Sequence, residues 1–335
     1  MDFELLRHVG NISQIAGIQE STIKTGRGKG LDIARFYNAA GLNFTVCPDR
    51  CMDIMDMSYK GVNLSFQSKN GPLGKTASPL PEEFQNQWPG GMLVTCGLDN
   101  VGRGYLDGEY FPTHGRISSV PAEHFGTRAE WEDDDYVLSA KGEMHQTRLY
   151  GRHLMLSREI RTTLNGTSVT IHDKLTNMQP KKEPFMLLYH VNFGYPLLTG
   201  KSRVYTSPTF IAPRNIMSMD HVRMTDPKDD IGEELYIHRP ETENAWAALV
   251  NPEMALGAYI AFNSYGYIHF FAEWKNMRSH DYVLAFEPCN CFGEGRNIET
   301  KKETISSIEG YSTLNFEIKI GVLDGDEAIA EFLKQ

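Results

Sequence analysis

The sequence is poor in cysteine, has no long apolar run and carries no basic excess. Five cysteines in 335 residues (Cys47, Cys51, Cys96, Cys289 and Cys291) form an odd, sparse set. That argues against a disulfide framework and predicts a reduced, cytoplasmic chain. Cys47-x3-Cys51 and Cys289-x-Cys291 lack the C-x2-C spacing of zinc sites, so they read as small buried thiols. No stretch approaches the ~18 apolar residues needed to span a bilayer. The start, MDFELLRHVGNISQIAG, lacks the basic-then-apolar pattern of a signal peptide. No membrane partner is therefore expected. A formal charge of −10 and a pI of about 5.6 leave no basic face for nucleic acid. GRGKG (26–30) and GLDNVGRG (97–104) are glycine-rich, but neither has the strand–glycine–helix context of a nucleotide loop. Internal repeats and low-complexity linkers are also absent.

What remains is a chain with 41% hydrophobic and 23% charged residues, enough for a large buried core. Short β-branched and aromatic runs alternate with Gly, Asn, Asp and Pro. Asn165-Gly166 separates SREIRTTL from TSVTIHDKL and predicts a hairpin with a type I′ turn. In the second arm Val169, Ile171, Asp173 and Leu175 alternate with Ser168, Thr170, His172 and Lys174, a half-buried strand. Helices are few: a short one near the N-terminus, and GDEAIAEFLKQ, which aligns Ile329, Phe332 and Leu333 on one face. Residues 67–90 and 213–245 read as long ordered loops, the first as a wall or lid of a site. The economical architecture is all-β and mostly antiparallel, one large β-sandwich domain over residues 1–335.

Polar residues that interrupt apolar strands mark the candidate chemistry. In PFMLLYHVNFGYPLL (184–198), alternation puts Met186, Leu188, His190 and Asn192 on one face. Phe185, Leu187, Tyr189, Val191 and Phe193 form an apolar face opposite. His190 and Asn192 need partners or cost about 1–3 kcal/mol each; local backbone could supply them. Glu287 interrupts YVLAFEPCN. Desolvation should raise its pKa, as in a general base, unless a cation such as Arg50 or Arg116 makes it a buried salt bridge. His114-Gly115-Arg116 suits hydroxyl or anion recognition, or is a surface loop. Arg50 lies in a tight bend after Pro48-Asp49. His269 reads as packed in a sheet, and His145, His153 and His172 as solvated or structural.

The order THGRIS, hairpin, YHVNFGYPL and late FEPCN resembles the galactose mutarotase (aldose 1-epimerase) superfamily over roughly residues 20–325. PDRCMDI and THGRIS look typical of one aldose-epimerase-like branch. The resemblance implies a large antiparallel supersandwich with a concave open face. It implies that His114 binds near the sugar ring oxygen, that His190 is the general acid and that Glu287 is the general base. Arg50 resembles a strand arginine that helps bind the sugar. The implied reaction opens a cyclic sugar and recloses it as the other anomer, with no metal or cofactor. Departures are informative. Tyr189 replaces the asparagine before the histidine, while Asn192 follows it by two. Trp274 and Lys275 stand near the family's sugar-binding aspartate, and HGR replaces HGG. Arg50, Arg116 and Lys275 would then favour an acidic or phosphorylated sugar. Two alternatives use the same scaffold: a metal-dependent isomerase or lyase on His114, His190 and Glu287, and a non-catalytic sugar-binding protein. A small-molecule sugar is the expected partner, and a homodimer stays open.

Overall fold

The computed structural model describes residues 3–73, 83–215 and 219–335. Three antiparallel sheets carry the architecture. A five-stranded meander runs from Gly17–Thr22 to Val62–Asn63. An eight-stranded sheet contains the long strands Asp135–Thr147, His153–Thr163, Ser168–Asn177 and Thr313–Asp324. The third sheet sets Glu234–Pro240, Phe270–Arg278, Asp281–Cys289 and Glu183–Phe193 side by side, and Leu93–Leu98 pairs with the last of these. One apolar cluster draws on all three sheets, including Phe44, Ile160 and Phe286. The expected all-β sandwich with few short helices is what the chain forms. Among the described residues no helix is long and apolar enough to cross a membrane.

Local expectations met varied outcomes. The hairpin forms, with Arg161 opposite Thr170. Its turn differs: Gly166 N–H donates to the Thr163 carbonyl, and neither Asn165 nor Gly166 takes a positive φ. Asn165 and Gly166 thus fill the last two positions of a turn that begins at Thr163, not the two central positions of a type I′ turn. Helix Asp326–Phe332 buries Ile329 and packs Phe332 on Trp246 and Tyr259. Within 213–245, the strand Glu234–Pro240 forms where a loop was expected. A short helix, Glu83–Gln87, lies inside 67–90, of which residues 74–82 fall outside the described residues. His269 is exposed just before its strand rather than packed within it.

Asp173, the acid on an apolar face, explains how the sheets lock together. Strand His153–Thr163 alternates buried and half-buried residues, and its inward position 158 is an arginine. Arg158 lies directly opposite Asp173. Its Nε and Nη2 donate to the two Asp173 oxygens at 2.9 and 2.7 Å. Nη1 reaches Asp53 at 3.2 Å, Thr95 Oγ1 at 2.9 Å and the Cys51 carbonyl at 3.0 Å. The Tyr189 hydroxyl donates to Asp173 at 2.8 Å. Asp53 belongs to the five-stranded sheet, Arg158 and Asp173 to the eight-stranded sheet, and Thr95 and Tyr189 to the third. One buried guanidinium thus compensates acids from two sheets and braces strands of the third. Removing it alone leaves buried carboxylates uncompensated, which typically costs about 3–5 kcal/mol. Arg158→Met is expected to lower the unfolding free energy by about that amount in urea titration; a loss below about 1 kcal/mol would contradict the bracing role.

Candidate active site

Behind Tyr189, on the other face of the same strand, is a cleft of about 1070 Å³. Alternation aims Leu188, His190, Val283, Glu287, Ala272 and Trp274 into it. The cross-strand pairs Leu188–Cys289 and Val191–Phe286 set His190 directly opposite Glu287. The His190 Nε2 to Glu287 Oε1 distance is 3.1 Å, with each side chain only 7% exposed. Met186 and Leu188 join Val94, Cys96 and Cys289 in an apolar cluster beside this pair.

The proton on this pair can be located by hydrogen-bond logic. Asn192 Nδ2 donates to the Gly91 and His190 carbonyls, both at 2.9 Å. Its Oδ1 therefore faces His190 Nδ1, at 2.5 Å, and must accept a hydrogen bond from the Nδ1–H. Neutral His190 then has a bare Nε2 that can only accept. Burial lowers the His190 pKa to about 3, with help from His114 and against the Asn192 hydrogen bond. Burial raises Glu287 to about 8, with the Glu233 charge adding to it. Both shifts favour a protonated Glu287 donating to a neutral His190 at neutral pH.

His114 enters from a loop with its ring centroid 6.1 Å from that of His190. Burial lowers its pKa to about 4, and its Nδ1 is buried without a hydrogen-bond partner. Gly115 makes this approach possible: at φ +75°, an added Cβ would stand 2.0 Å from the Gly97 carbonyl. Aromatic rings wall the cleft. Trp88 lies 5.2 Å from His190 and 5.8 Å from Trp274, and Phe84 lies 5.1 Å from His114. The Trp274 indole N–H donates to Glu233 at 2.8 Å, while the buried Trp88 Nε1 has no partner.

His114, His190, Glu287 and Trp274 thus converge, and the described part of 67–90 supplies a wall through Phe84 and Trp88. Four expected substrate contacts lie elsewhere. Lys275 follows Trp274 on a strand and so points to the other face, where it binds the Asp220 and Arg223 carbonyls and Glu234. Arg116 pairs with buried Asp99 and the Tyr110 carbonyl. Arg50 lines a separate small recess with Cys47 and Asp53. Asn192 is wholly buried and holds His190 rather than lining the cleft. Neither arginine pairs with Glu287; His190 does. Sequence reasoning passed over Trp88 and Phe84, whose only signal was aromatic residues in a Pro/Gly-rich segment. Among the described residues, the only three His, Cys, Asp or Glu side chains with ligand atoms all within 4.8 Å are His221, His238 and Glu273. His114, His190 and Glu287 are not so arranged.

A family described as a domain of unknown function, DUF4432, matches residues 28–322, and the chain belongs to it. No curated protein matches it in sequence. Among solved structures, a Klebsiella pneumoniae protein provisionally named an aldose 1-epimerase superposes with a TM-score of 0.86 at 22% identity, covering 95% of this chain and 86% of that one. A galactose mutarotase-like protein from Clostridium acetobutylicum gives 0.62 at 12% identity, covering 93% and 99%. A galactose 1-epimerase from Lactobacillus acidophilus gives 0.58 at 11% identity, covering 92% and 99%. The fold is that of the galactose mutarotase-like proteins.

The Glu287 shift has a consequence for stability. Its folded pKa is about 8 against an ordinary 4.5, so the folded state holds this proton long after the unfolded chain releases it. Its contribution to stability therefore declines as pH rises from 4.5 towards 8. Glu287→Gln stays neutral in both states. The melting temperature of Glu287→Gln minus that of the wild type is expected to grow from pH 5 to pH 8; a pH-independent difference would contradict the shift.

Proposed function

We propose that this member of the DUF4432 family interconverts the anomers of a free sugar by acid–base ring opening and closure. The observation that carries the reading is the 3.1 Å contact between His190 Nε2 and Glu287 Oε1 on the cleft floor. In a cyclic sugar the anomeric hydroxyl and the ring oxygen are bonded to the same carbon. A base and an acid in mutual contact can therefore address both oxygens at once. The resting proton on Glu287 defines the direction. Glu287 gives its proton to the ring oxygen as the bond from that oxygen to C1 breaks. His190 Nε2 takes the proton of the C1 hydroxyl, which becomes the aldehyde. The pair is then Glu287 carboxylate and His190 imidazolium. Rotation about C1–C2 followed by the reverse transfers closes the other anomer and restores the starting state. These roles exchange those implied by the family resemblance, while the net proton count on the pair is the same. His114 supplies a neutral imidazole for a sugar oxygen, and Trp88 and Trp274 offer faces to the C–H side of a pyranose.

The cleft's charge favours an anionic sugar. Its described lining includes Lys69, Arg103, Arg214 and Arg278 against Glu233, Asp281 and Glu287. Lys69 is paired with Asp281 and Arg214 with Glu294, so with Glu287 protonated Arg103 and Arg278 are set against Glu233, on a chain whose formal charge is −10. The cations differ from those expected in sequence, but the preference they support is the same.

Magnetisation-exchange NMR on the anomers of glucose, glucuronate and glucose 6-phosphate tests both parts. Wild type is expected to accelerate exchange, most strongly for the two anionic sugars. His190→Asn and Glu287→Gln are each expected to lose about 10²–10⁴-fold. Wild-type rates in both variants would overturn the assignment, and equal or faster exchange of glucose would overturn the anionic preference.

A further inference from the structure

A second polar cluster lies on the opposite, core-facing side of the same sheet. Glu273 and Tyr236 are register partners, and His238 lies two positions along from Tyr236. Glu273 and His238 are completely buried. His221, from the segment between Thr209–Pro213 and Glu234–Pro240, closes over them with 11% of its side chain exposed. His221 Nδ1 and His238 Nε2 converge on one oxygen, Glu273 Oε2, at 2.9 and 3.1 Å. The other oxygen, Oε1, is buried with no partner. The His238 ring is fixed by stacking on Phe271, with centroids 4.1 Å apart and planes 17° from parallel.

We propose that His221, His238 and Glu273 form a binding site for a zinc-type divalent cation, distinct from the cleft. Two arguments support it. First, the three ligand atoms lie within 4.8 Å of one another, and two imidazole nitrogens with one carboxylate are a ligand set that zinc accepts. Second, a wholly buried carboxylate oxygen without a donor is costly, and a cation held by both carboxylate oxygens would satisfy it. The partly exposed edge of His221 is where a fourth, water ligand would enter. Such an ion would fasten the segment around His221, whose Asp220 and Arg223 carbonyls already accept from Lys275, to the back of the strand that presents Trp274. The role is structural, with no step of the sugar chemistry routed through it.

The test is zinc chloride titrated into chelator-treated full-length protein, read by calorimetry and by thermal melting. The expected result is close to one zinc ion per chain, with a melting temperature that rises with free zinc. His221→Ala, at the edge of the core, should fold and lose both effects. Glu273→Gln retains a hydrogen-bond acceptor for the imidazoles and should also lose them. Absence of stoichiometric binding to the wild type overturns the site, as does unchanged binding in a folded His221→Ala protein. His190→Asn, in the cleft, should bind zinc like the wild type; loss of binding there would place the ion in the cleft and overturn the assignment.

Discussion

A single buried guanidinium, Arg158, holds three sheets in register. Its position on an otherwise apolar strand would be untenable without Asp173 directly opposite and Asp53 from the neighbouring sheet. The cluster includes Tyr189, and Tyr189 precedes the histidine of the cleft. Because successive residues of a strand face opposite ways, fixing Tyr189 from behind fixes His190 in front. Bracing of the core and positioning of the His190–Glu287 pair are therefore one constraint.

The two faces of that strand treat buried charge in opposite ways. On the core side an arginine compensates the carboxylates, although burial still raises Asp53 to about 6 against the pull of Arg158. On the cleft side the described partner of Glu287 is an imidazole that burial keeps neutral. There the cheaper solution is for the acid to keep its proton. A carboxyl that stays protonated to about pH 8 beside a bare imidazole nitrogen is a matched donor and acceptor near neutrality. Asn192 sets the direction of sharing by claiming the other imidazole proton, which makes it a positioning residue.

Much of this was legible in the sequence because strand alternation is a strict rule. The two faces of 184–193 read correctly, as did the anomaly of Glu287 in an apolar run. The partner of Glu287 was not legible, since cross-strand register depends on pairing between segments almost a hundred residues apart. Arg116 read as a substrate contact for a different reason: irregular loop geometry, which has no period, brings Asp99 and the Tyr110 carbonyl to it. Lys275 could have been assigned better: if Trp274 faces the cleft, its neighbour cannot. Trp88 escaped because a Pro/Gly-rich segment gives no periodicity from which to read a direction. The Asn165-Gly166 turn missed because the dipeptide sits one position later in the turn than a type I′ hairpin requires.

The position of the resting proton is the point on which the proposed chemistry turns. Nitrogen-15 NMR of His190 in the ligand-free protein at pH 7, with infrared difference spectra against Glu287→Gln, measures it directly. The expected result is a neutral imidazole protonated on Nδ1, together with a protonated-carboxyl band that the substitution removes. An imidazolium at His190 beside an ionised Glu287 would contradict it.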